Sequence, residues 1–181
     1  MATTAPLALT HSATRTQSRS RIALSWLLAA GWPLGLFGLV NLGAEALNVL
    51  PLYFSPFGLP GWVGAAGHLA QLGMLGAAFL ALTHKGHQGS ARHWLTGFIL
   101  AYIALPFITP PLDSLQLSLV CTTLFLVGFA SVVRVAVESK IAAALMALPL
   151  AILGLSATMG LALSAVFTPP FALVQGQQAA I

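Results

Sequence analysis

Apolar residues run in five long blocks, and most polar positions fall between them. The blocks cover 22–50, 62–82, 94–109, 115–135 and 141–167. None shows the apolar–polar alternation of a barrel strand. A bilayer core about 30 Å thick is crossed by about 20 apolar helical residues. The pattern therefore predicts an all-α integral membrane protein, a compact bundle of about five transmembrane helices. The first and fifth blocks exceed one crossing and contain Pro33 and Pro149, so tilt or a kink is expected in each. The third runs into Pro106, Pro110 and Pro111, which blurs its far boundary.

The flanks divide the chain further. Residues 1–20, rich in Thr, Ser and Arg, read as a disordered basic tail. Residues 21–168 form the bundle, and 169–181 a short tail on the opposite side. The first block is far longer than the 7–15 apolar residues of a secretory signal, so it reads as a retained helix.

Charge orients the bundle. Arg15, Arg19 and Arg21 precede the first block, Lys85 and Arg92 follow the second, and Arg134 and Lys140 follow the fourth. Five crossings put these three segments, and all seven bases, on one side, with Asp113 and no base on the other. Bases collect on the cytoplasmic side of membrane proteins. The expected topology is N-terminus in and C-terminus out, in the cell (inner) membrane.

Composition removes several function classes. The chain of 181 residues is 58% hydrophobic and 6% charged, with mean hydropathy +0.93. A soluble domain carries about 25% charged residues, so lipid is the expected partner over most of the surface. The net charge of +4 is dispersed over three segments, unlike the clustered face of a nucleic-acid binder. Cys121, the only cysteine, falls inside an apolar block and can form neither an internal disulfide nor a thiolate cage. Phosphate-binding, zinc-protease, nucleophile-elbow and selectivity-filter motifs are missing.

The candidate chemistry is a polar group inside the apolar blocks. Glu45 lies before the expected end of the first helix, about 7–8 Å deep at the helical rise. Ionisable groups within a membrane are expensive and point to function. Asn41 and Asn48 share its face, within about 60°. His68 enters from the same side to about 9 Å, with Gln71 one turn deeper. Equal depth on consecutive antiparallel helices suggests a Glu45–His68 pair supported by Asn41 and Gln71. Such a pair titrates as a unit and could relay a proton or hold a polar head group. The plain alternative is interhelical glue. Tyr102, Gln116 and Ser118, with Asp113 just outside, and Ser164 and Thr168 could complete the pocket from the outer halves of the remaining helices, each a weak signal alone.

Other features read more plainly. The loop 83–93 carries His84, His87 and His93, but loose spacing and the neighbouring Lys85 and Arg92 argue against a metal. It reads as a basic surface for anionic head groups. With His68 the one histidine in an apolar block, bis-histidine haem is not expected. No cofactor is assigned. The charge-free stretch 51–62 holds three prolines, two glycines and four aromatics and reads as an interfacial connection, with Tyr53 and Trp62 as belt residues. Gly31, Gly35 and Gly38, Gly64 to Gly76, Gly154 and Gly160 supply small helix faces for packing within the chain, or onto partner subunits or a second copy.

The residues therefore support three functions. The first is binding or transport of a small, largely apolar ligand in an outward-facing pocket of Asn41, Glu45, Asn48, His68, Gln71 and Tyr102. The second is an accessory subunit of a larger membrane complex. The third is an enzyme using Glu45 and His68 as acid and base on a lipid, quinone or isoprenoid.

Overall fold

A computed structural model describes residues 6–55, 59–83 and 89–167, with side chains from Ser20 onward. Helix α1 runs Pro6–Ala46, α2 Gly61–Thr83, α3 Ser90–Ile108, α4 Ser114–Glu138 and α5 Lys140–Phe167. No strand occurs among the described residues. Five stretches are long and apolar enough to cross a membrane: Ser20–Ala46, Gly61–Thr83, Ser90–Ile108, Ser114–Glu138 and Lys140–Val166. The expected five-helix membrane bundle is the architecture observed.

The boundaries differ where local chemistry overrides the apolar pattern. The apolar run continues to 50, but α1 stops at Ala46. Asn48 adopts φ 56, in the left-handed region that Asn tolerates better than most residues. Its N–H donates to the Glu45 carbonyl at 3.0 Å, and the Val49 N–H donates to the Ala44 carbonyl at 2.8 Å. This crossed pair of bonds is how a helix closes on a left-handed residue. At the other end, helical backbone begins at Pro6, inside the segment whose composition suggested disorder. Proline suits a first helical position, and no Gly or Pro follows it before the membrane-length stretch.

α4 continues past 135 to Glu138, leaving Ser139 as the whole connection to α5. The Ser139 hydroxyl accepts from the Ala142 N–H at 3.3 Å and so caps α5. Asp113 and Gln116 form a reciprocal capping box at the start of α4.

Helices α2, α3, α4 and α5 form a ring, each packed on the next, with α5 returning to α2. Leu72 and Leu75 of α2, Phe98 of α3, Val135 of α4 and Met146 of α5 are fully buried. α1 lies outside the ring, against α2 and α3. Only 11% of its apolar stretch is buried, against 44% for α2, so α1 is an attached helix and not a ring member.

Glycine sets the close approaches. A Cβ on Gly76 would meet the Ala29 carbonyl oxygen and the Ala30 Cα of α1. Pro33 has no N–H to offer that carbonyl four residues back, so the oxygen freed by the proline faces the one α2 residue without a side chain. Gly160 brings α5 to α4, where a Cβ would lie 2.9 Å from Ser118 Cβ. Gly31, Gly35 and Gly38 behave differently: a Cβ on any of them would meet nothing within 4 Å. The glycine face of α1 is not used for packing among the described residues.

One end of the bundle gathers charge and aromatics. Arg92 sits 5.2 Å from the Phe79 ring centroid and Arg134 4.4 Å from that of Trp94. At the opposite end the Leu52 N–H donates to the Pro106 carbonyl at 2.8 Å, tying the segment after α1 to the end of α3.

Candidate functional site

His68 and Gln71 lie one helical turn apart on the face of α2 that turns into the ring, and both are buried. Tyr102 of α3 reaches them. Its ring stacks on His68 at 4.9 Å with planes 10° apart, and its hydroxyl donates to Gln71 Oε1. Phe37 of α1 and Tyr53 of the following segment complete the surroundings of the imidazole, with ring centroids 5.4 and 5.9 Å away. Aromatic groups thus fix the His68 ring by its faces.

These residues border a cavity of about 310 Å³ inside the ring, at the end tied by Leu52 and Pro106. Such a volume lies at the small end of ligand pockets. All four ring helices contribute wall, and residues 52–55 form a roof. The roof can descend because α2 carries Gly64 beneath it: a Cβ there would sit 2.6 Å from the Phe54 carbonyl oxygen. Burial pushes the Tyr53 hydroxyl above the ordinary tyrosine range, so the roof stays uncharged at neutral pH.

The wall is mostly apolar, with Leu105, Leu117, Cys121, Leu153 and Met159 among its residues. Most of its hydroxyl protons are already committed. Ser55 donates to the Leu59 carbonyl at 2.7 Å, Thr109 to Pro106 at 3.4 Å, Ser156 to Ile152 at 3.0 Å, and Tyr102 to Gln71. Among the described residues no hydrogen bond reaches the Gln71 amide nitrogen, whose oxygen Tyr102 occupies, or the Tyr53 hydroxyl in the roof. His68 Nε2 is buried and likewise without a partner among the described residues. A buried polar atom left unpaired costs about 1–3 kcal/mol.

The structure brings together His68, Gln71 and Tyr102 of the expected site. It does not bring in Glu45, Asn41 or Asn48. Glu45 is exposed and lies outside the cavity wall. The expected pairing fails on depth and on direction. With α1 ending at Ala46, Glu45 sits in the last turn of its helix, whereas His68 is roughly 10 Å into α2. The inward face of α1 is set by Phe37 and Ala44, and Glu45 is turned about 80° from Phe37. Asn41 is half-buried at the edge of that face. Asn48 ends the helix.

Other candidates serve local structure. Asp113 and Gln116 cap α4, Ser118 donates to the Leu115 carbonyl, and Ser164 donates to the Gly160 carbonyl. His84, His87 and Thr168 lie outside the described residues, and His93 is exposed near the start of α3. No three His, Cys, Asp or Glu side chains converge among the described residues.

Sequence reasoning missed Cys121, Thr109 and Ser156 as wall residues and 52–55 as a roof. The proline- and glycine-rich composition of 51–62 and the glycine at 64 were the available signal. It also passed over Glu138, whose Oε2 is buried and without a partner among the described residues and whose Oε1 stands where a Cβ on Gly89 would be crowded, at 2.9 Å.

Fold and site define a multi-pass helical membrane bundle: a four-helix ring, one attached helix, and a mostly apolar internal cavity near one end. Comparison of the chain with protein-family profiles, curated proteins and solved structures returns no match.

Proposed function

We propose that the protein binds a small, largely apolar molecule in the cavity beneath residues 52–55, as a membrane receptor or carrier in the cell (inner) membrane. With the basic end cytoplasmic, the cavity lies in the outward half of the bundle. The observation that carries this reading is the buried His68 Nε2, unpartnered among the described residues, in the wall of a mostly apolar cavity. Packing alone favours filling such a space and pairing such an atom. A site that keeps both unfilled is suited to an occupant.

The test is native mass spectrometry of protein released in mild detergent, wild type against Ser156→Phe. Ser156 borders the cavity with its hydroxyl turned to its own backbone, so a phenyl ring there takes up ligand space. Wild type is expected to carry one small apolar species per chain. The variant is expected to be bare and, with its cavity filled, more heat-stable by about 0.5–2 kcal/mol. Wild-type protein that stays bare after incubation with lipids extracted from its own membrane would sink the reading.

A second reading, membership of a larger assembly, is favoured by the open glycine face of α1. Gly31, Gly35 and Gly38 permit close helix approach that none of the described residues exploits. Gly35→Ile is expected to leave thermal stability of the isolated chain within about 0.5 kcal/mol while shifting the protein to a smaller assembly in size-exclusion chromatography. An unchanged elution volume would count against that assembly.

A further inference from the structure

Resting on the ligand-pocket reading, we infer that the occupant is recognised through a single neutral head that accepts a hydrogen bond, a carbonyl or hydroxyl oxygen on an apolar body, and that charged amphiphiles are rejected.

The wall decides the charge. It contains no Asp, Glu, Lys or Arg. The carboxylates at this end, Glu45 and Asp113, are both exposed and outside the wall. The described bases Arg92 and Arg134 lie at the far end, over Phe79 and Trp94. An ammonium or phosphate head entering this space would shed its water and meet no fixed opposite charge, which is severely unfavourable in a low dielectric.

The hydrogen-bond inventory decides the head's polarity and number. Ser55, Thr109, Ser156 and Tyr102 have spent their protons on internal acceptors. Because Tyr102 occupies Gln71 Oε1, the Gln71 amide nitrogen is left as a donor with no acceptor. His68 Nε2 stands one turn away with no partner. These two groups sit on one helix face, so they serve one oxygen or two adjacent ones, and the Tyr53 hydroxyl in the roof, also without a hydrogen bond among the described residues, can add a third neutral partner. A carbonyl takes the amide proton, and a hydroxyl can also meet Nε2 in either imidazole tautomer.

The stacking decides how His68 takes part. Tyr102 takes one face of the imidazole and the tilted Phe37 and Tyr53 rings crowd it further. The contact assigned to the ligand is therefore at Nε2 and places no demand for an aromatic body.

The test uses one apolar body with different heads. A photoreactive 1-decanol with a diazirine in its tail is incorporated with the full chain in lipid nanodiscs, and labelled peptides are mapped after illumination. Decane, 1-decanol, 2-decanone, decanoate and decylammonium compete at equal mole fraction in the bilayer. Label is expected within 152–163 of α5, which borders the cavity. 1-Decanol and 2-decanone are expected to displace it at concentrations at least about tenfold below those of decanoate and decylammonium, and about three- to tenfold below decane. His68→Phe keeps a ring for the stack and removes the nitrogens. It is expected to erase most of the advantage of the neutral heads over decane while leaving 152–163 labelled.

The failures are distinguishable. No label on the cavity wall would overturn the pocket reading itself. Wall labelling with decanoate or decylammonium competing as well as decanol would leave the pocket standing and overturn the neutral-head inference. So would decane matching decanol in wild type. A decanoate advantage that grows as pH falls would instead assign the site to carboxylates held by a protonated His68.

Discussion

Replacing Gly76 with valine is expected to detach α1 from the ring. The three nearest atoms that a Cβ at 76 would meet are all α1 backbone, at Ala29 and Ala30. Backbone cannot rotate aside as a side-chain tip can, so the helices must separate. The expected cost is about 3 kcal/mol or more, at the upper end for overpacking. It would be read as a fall in unfolding temperature and as new protease cleavage between α1 and α2. Gly73→Ala is the control on the same helix. A Cβ there meets nothing within 4 Å, and the change should stabilise by about 0.5–1 kcal/mol through helix propensity alone. If both substitutions act alike, α1 is not seated on Gly76.

The second large effect concerns the Tyr102–Gln71 hydrogen bond. Gln71→Leu leaves the Tyr102 hydroxyl buried without its acceptor, and Tyr102→Phe leaves the Gln71 oxygen without its donor. Each single change is expected to destabilise by about 1–3 kcal/mol. The double variant should recover part of that loss, because no orphan of this pair remains. The coupling expected in a thermodynamic cycle is about 0.6–1.7 kcal/mol, the range found between membrane helices. Strictly additive single effects would mean that the hydroxyl and the amide do not share a bond in the membrane.

The elements were legible because membrane helices announce themselves by length and apolarity, and four of the five expected spans differ from the observed helices by a few residues. The α1 terminus was hidden because its stop is conformational: Leu47, Val49 and Leu50 look like more helix, and only the left-handed Asn48 ends it. Half of the site was legible as well. His68, Gln71 and Tyr102 are polar residues in apolar surroundings, and burial forces such groups to find one another. Glu45 misled because depth was counted from the wrong end and because the facing of a helix depends on what it packs against. Phe37 and Ala44, not the polar stripe, chose the buried side of α1. Asp113 and Gln116 carried the D-x-x-Q spacing of a capping box, which is a nearer explanation for polar residues at a helix start than a ligand site.

The ring of α2 to α5 also sets a timetable. α5 leaves the ribosome after α2, α3 and α4, yet it supplies Ile152, Leu153, Ser156 and Met159 to the wall and closes the ring against α2. Until it docks, the space between α2, α3 and α4 lies open on one side to lipid acyl chains. The cavity thus comes into being only after its other three helical walls have been made. A molecule that fits only the closed ring binds the finished fold and none of its precursors, and by mass action it favours the docked position of α5. In a cell, supply of such a molecule would govern how much newly made chain escapes quality control, so abundance could report on the occupant before any activity is measured.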